Sequence, residues 1–219
     1  MLGKILIIIS VLSAVFPFVA GFFYKSKLCK PLKFLFYFLI FNVVTEIVAY
    51  IYGIFKMHNL YLFHIHCAVE LIFFLIICAK YYNKAWLTKT LWIFGISYLA
   101  FAALDSFYLE GLDTVNFFTR GVAGLAMLAL SLYFFLQIFH LDESIKLTSY
   151  PYFWLFSGWL FYFSGTFFMF TIRDIEGWNY TFPYIHSVLN IFLNGMYVYV
   201  FWLAAKQFKK VKAGIKNEL

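Results

Sequence analysis

Charge is scarce in this sequence. Asp, Glu, Lys and Arg make up 12% of its 219 residues, about half of what a soluble globular domain carries. A water-facing surface cannot be assembled from so few polar side chains, so an ordinary soluble enzyme and a disordered chain are both excluded. Cysteine is scarce too. Cys29, Cys67 and Cys78 form no motif, and Cys67 and Cys78, eleven positions apart in one apolar stretch, are too distant along a helix to bridge. Proline appears four times. There is no phosphate-binding glycine loop, no GxSxG and no HExxH, which excludes ATP-driven transport by this chain alone and gives no ready-made hydrolase signature.

What fills the space is apolar and aromatic. Hydrophobic residues are 64% of the chain, Phe alone 31 and Tyr 17, and mean hydropathy is +0.85. The apolar residues form seven long runs: 4–24, 34–55, 60–79, 91–109, 117–139, 152–172 and 183–205. Each is long enough to cross about 30 Å of hydrocarbon as a helix. None alternates as a membrane β-strand does, and in lipid only helices or closed barrels satisfy their backbone groups. The expectation is an all-α polytopic membrane protein with seven transmembrane helices, residues 1–205, and a basic tail, 206–219. The first run reads as a retained span, since four lysines follow it and no small-residue cleavage site closes it.

The net charge of +7 is not a nucleic-acid signal, because the basic residues sit in loops and the tail. Of 17, all but Lys4, Lys56, Arg120 and Arg173 fall on the side of the 25–33, 80–90 and 140–151 loops and the tail. By the positive-inside rule that side is cytoplasmic. The N-terminus is then outside and the C-terminus inside, in a bacterial cytoplasmic (inner) membrane. The partners expected are the lipid bilayer and a membrane or signalling protein, with no nucleic acid.

Ionisable residues inside a span are costly and mark function or interhelical pairing. Asn42 and Glu46 share a face four residues apart, as do His66 and Glu70, and His186, Asn190 and Asn194 form a ladder at the same spacing. His64, two before His66, points elsewhere. With Asp105, Arg120 and Arg173 these residues concentrate in the half of the bundle away from the lysines. Glu46, His66, Glu70, Asp105 and His186 are the candidate ligand or metal residues, and Asn42, Asn190, Asn194, Arg120 and Arg173 the supporting polar ones. Three chemistries fit: a zinc site on His66, Glu70 and His186 with Glu46 or Asp105; a pocket for a small polar or amphipathic ligand with Tyr61, Tyr108, Trp178 and Tyr180 at its mouth; and plain interhelical hydrogen bonding. At the rim, Arg120 and Arg173 are expected to pair with Asp105 or Asp174. Gly158 and Gly165, and Gly121 and Gly124, should let neighbouring helices approach.

The run Pro151-Tyr-Phe-Trp154, with Gly158 and Tyr162 to Gly165, resembles the small seven-helix membrane modules of bacterial sensor proteins. That resemblance implies sensing or scaffolding. The plan also bears a more distant likeness to the seven-helix hydrolases that include alkaline ceramidases and adiponectin receptors. That likeness implies a zinc on His66 and His186, with Ser97 or Ser106 and Asp105 as polar partners. The chain departs from those hydrolases where Asn190 stands four residues after His186. The function expected is a non-catalytic sensing or ligand-binding membrane module. The alternatives are a metal-dependent hydrolase of a lipid-like substrate and a proton-coupled small-molecule transporter, with Glu46 and Glu70 carrying the proton.

Overall fold

The computed structural model describes the backbone of residues 2–139, 146–171 and 178–217, and their side chains except at 2, 4, 170–171, 178–182 and 210–217. The elements are α1 (Leu2–Ser13), α2 (Val15–Tyr24), α3 (Lys30–Ile54), α4 (Tyr61–Tyr82), α5 (Ala85–Leu104), α6 (Phe117–Ile138), α7 (Pro151–Thr171) and α8 (Trp178–Asn217). Six stretches among the described residues are long and apolar enough to cross a bilayer, α1 and α2 together forming the first of them. α7, 21 residues long, stands between α6 and α8 in the same bundle. The protein is therefore an all-helical, multi-pass membrane bundle.

Local chemistry sets the helix ends. Pro31 stands in the first turn of α3, after an extended Cys29, where a missing N–H costs nothing. Asn83 closes α4 in the left-handed region (φ 49°), its N–H bonding the Ala79 carbonyl. α5 ends in a π turn, Asp105–Leu109, whose Asp105 carbonyl accepts from the N–H groups of Glu110 and Gly111 at 3.0 and 3.3 Å. Gly111 supplies the positive φ of 82° that follows. The Glu110 carboxylate accepts from the Phe118 N–H at 3.3 Å, at the start of α6. Burial, with Asp105 nearby, pushes that carboxyl above its ordinary range. Two boundaries differ from the sequence expectation. The first run is broken at Ala14, and α8 starts before Pro183 and continues through the basic tail to Asn217 as one helix of 40 residues. Pro183 stands inside that helix, past its first turn, where it removes one backbone hydrogen bond.

The helices form a ring. α1 and α2 pack on α8, α8 on α7, α7 on α6, α6 on α4, α4 on α3, and α3 on α2; α5 lies outside against α4. In the lysine-rich half the ring is filled with rings and leucines. Leu32, Leu35, Phe74, Phe134, Phe156, Trp159 and Phe201 are all less than 2% exposed. Phe134 stacks on Phe156 at 4.2 Å, and Phe74 lies 4.7 Å from Trp159. The other half is built differently.

Small residues matter at the seam of α7 and α8. A Cβ on Gly158 would meet Met196 at 3.2 Å, and one on Gly165 would meet Leu189 at 2.7 Å, so α7 and α8 approach closely. Gly121 and Gly124 do not serve this purpose. A Cβ on Gly121 would meet nothing within 4 Å, and one on Gly124 only Phe167 at 3.9 Å, because that face of α6 is not crowded.

Candidate ligand cavity

The i, i+4 pairs foreseen on α3, α4 and α8 turn inward in the lysine-poor half. They surround a cavity of about 380 Å³, within the size range of small-molecule sites. α3 contributes Asn42 and Glu46, α4 His66 and Glu70, α6 Arg120, and α8 His186, Asn190 and Asn194. Tyr197 and Tyr162 line its deep end, and the Tyr197 hydroxyl accepts from Trp159 Nε1 at 3.0 Å, tying the floor to the apolar plug.

A chain of polar contacts crosses the floor. Arg120 faces Glu70 with 3.7 Å between Nη2 and Oε2, both side chains nearly buried. The guanidinium also lies beside the Tyr162 side chain. Tyr162 in turn lies 3.3 Å from His186 Nε2. His66 Nε2 lies 2.9 Å from Asn42 Oδ1. An amide oxygen only accepts, so this ring nitrogen carries the hydrogen. Along α8, Asn190 donates to Ser10 Oγ at 3.0 Å and Asn194 to Ser13 Oγ at 2.8 Å, which fastens α1 to α8.

Glu46 differs from the other carboxylate of the described cavity wall, Glu70. It faces the cavity half-buried, and no cation among the described residues pairs with it.

Several expectations are corrected. Asp105 does not reach the cavity. It is fully buried between α5 and α6, where Thr119 Oγ1 donates to its Oδ2, because the π turn directs it inward one turn below the rim. Arg120 does not pair with Asp105; it follows Thr119 about 100° round α6 and meets Glu70. Ser106 is held by His64 Nδ1 at 2.8 Å, while His64 Nε2 bonds the Thr114 carbonyl at 2.9 Å. His64 thus straps α4 to the end of α5, away from the cavity. Tyr61 and Tyr108 do not line the cavity either; Tyr61 stacks edge-on with Tyr52 at 6.0 Å, and Tyr108 is 81% exposed. Arg173 and Asp174 lie outside the described residues, as do the side chains of Trp178 and Tyr180.

The zinc set fares poorly on chemistry. Among the described residues no three His, Cys, Asp or Glu side chains come together as a metal would need. The guanidinium of Arg120 stands beside Glu70, where a divalent cation would have to sit, and like charges exclude each other. All three cysteines are free.

Sequence reasoning overlooked Ser10, Ser13, Tyr162 and Tyr197 as members of this site. In a chain with 17 Tyr, one more tyrosine in a span carries no signal. Ser10 and Ser13, three apart in an otherwise aliphatic run, did carry one: they are the polar face of α1. No protein-family model, no curated protein and no solved structure matches this chain.

Proposed function

We propose that the protein is a non-catalytic membrane module of the sensing or ligand-binding kind, and that the cavity in its lysine-poor half receives a small molecule. The observation that carries this reading is convergence. Polar side chains from α1, α3, α4, α6, α7 and α8 meet around one space, while the other half of the bundle is packed solid with aromatic and aliphatic groups. A network serving only to hold helices together needs no room between its members. The lysine-rich face is read as cytoplasmic, in a bacterial inner membrane, so the cavity belongs to the outer half. A separate membrane or signalling protein would carry the response inward, as in the sensor modules the chain resembles.

A proton-coupled carrier is the second reading, favoured by the unpartnered Glu46 carboxyl. It requires a second opening through the plug of Phe74, Phe156 and Trp159. The hydrolase reading has the least support, since its ligand set does not assemble around Arg120.

Native mass spectrometry of the full chain in mild detergent tests the proposal, with an Ala49→Trp variant whose indole fills the cavity. The expected result is a small-molecule adduct on the wild type that the folded variant lacks. A bare wild type carrying about one zinc per chain, removed by chelation, would contradict it and return the hydrolase.

A further inference from the structure

The cavity has a side door, and its free charge has a sign. α2 packs against α3, but α1 makes no comparable contact with α3 among the described residues; it leans on α8 instead. The break at Ala14 lets the two halves of the first span follow different neighbours. α3 shows the complementary pattern. Its buried residues, Pro31 to Leu39, all belong to its lysine-rich half, and none follows up to Ile54. In the lysine-poor half α1 and α3 therefore stand apart. Ile7 and Val11 on one side, and Thr45 and Ala49 on the other, are at once cavity wall and lips of the gap. A gap between adjacent helices of a membrane ring opens sideways into lipid.

Inside, Glu70 already has Arg120 as its counter-charge. The two histidines are engaged by neutral partners, Asn42 and Tyr162. Among the described residues, Glu46 is left as the one charged group in the cavity wall without an opposite charge. It stands at the gap, one turn from Ala49 and Asn42 on α3. Phe38 and Phe63 also belong to the wall, and aromatic rings attract cations. The loops above add Glu110 and Asp113, the latter 91% exposed.

We propose that the cavity takes a bilayer-dissolved amphiphile with a protonated amine, admitted between α1 and α3, its ammonium held by Glu46 and its apolar part lying along Ile7, Val11 and Leu62. This rests on the reading of the cavity as a ligand site and names the class of ligand. The carboxyl and the ammonium supply each other's missing charge in a low-dielectric site. Neither a neutral amphiphile nor an anion does this, and an anion would meet Glu46 as a like charge.

The test uses the full chain in phosphatidylcholine nanodiscs and three radiolabelled probes of one chain length: dodecylamine, dodecanol and dodecanoate. Empty nanodiscs give the partitioning background. The expected result is one saturable site per chain, with dodecylamine bound at least about tenfold more tightly than dodecanol, as a hydrogen bond to a charged group implies, and dodecanoate weakest. Glu46→Gln, isosteric and half-buried, should bring the amine down to the alcohol's affinity. Ala49→Trp should abolish saturable binding of all three. Dodecanoate binding as tightly as the amine, or an amine affinity unchanged by Glu46→Gln, would overturn the ligand class and keep the cavity as a binding site. Absence of saturable binding for every probe, in wild type whose unfolding remains cooperative, would remove both.

Discussion

Arg120 shows how one residue sets the character of the site. It is the fourth residue of α6 and meets Glu70 across the floor at 3.7 Å, with Tyr162 alongside. Both side chains are nearly out of reach of solvent, so neither tolerates loss of the other. Breaking a buried pair typically costs about 3–5 kcal/mol, whereas removing both partners costs far less. Arg120→Met and Glu70→Leu should therefore each sharply lower the unfolding temperature in detergent, and the double variant should recover most of the loss. A double variant with the summed effect of the two singles would show that the pair is not coupled. The same residue explains why a metal reading drawn from His66, Glu70 and His186 does not assemble: a fixed cation is already among them.

At the scale of the helices, the seams are unequal. α7 and α8 meet through Gly158 and Gly165, where added carbons would press on Met196 and Leu189. α6 presents Gly121 to open space. Gly158→Leu should destabilise by about 1–3 kcal/mol through overpacking, and Gly121→Leu should leave the unfolding temperature nearly unchanged. Equal effects would contradict the packing described. Element-scale features also mark what could be read in advance. The all-helical, multi-pass bundle followed from run length, and the shared inward faces from i, i+4 pairs such as His66 and Glu70, because helical periodicity is local. The partner of Arg120 did not follow. Asp105 was nearer in sequence and equally acidic, and only the π turn, together with the order of helices around the ring, sends Arg120 to Glu70. The fastening of α1 by Ser10 and Ser13 was hidden for a similar reason, since its other half lies some 180 positions away in α8.

For the whole molecule, the division into a packed lysine-rich half and a hollow lysine-poor half fixes what each face does. Cys29 is a natural reporter of orientation. It is exposed, while Cys67 and Cys78 are buried, and it lies among Lys25, Lys27 and Lys30. With the lysine-rich face cytoplasmic, a membrane-impermeant maleimide should leave Cys29 unlabelled in intact cells and label it in inverted vesicles. An Asp113→Cys variant lacking Cys29 should behave in the opposite way. Labelling of Cys29 from outside the intact cell would reverse the topology.

The hollow itself is the central claim, and substituted-cysteine reactivity measures it directly. In a Cys29→Ser background, Asn190→Cys places a thiol in the cavity wall, and Val188→Cys, at a site 53% exposed on the outer surface of α8, places one against lipid at similar depth. A small water-soluble methanethiosulfonate needs thiolate and water, both scarce in hydrocarbon. Fast modification is expected at position 190, slowed in the Ala49→Trp protein, and slow modification at position 188. A position 190 as unreactive as position 188 would mean that the polar side chains close on one another without a cavity.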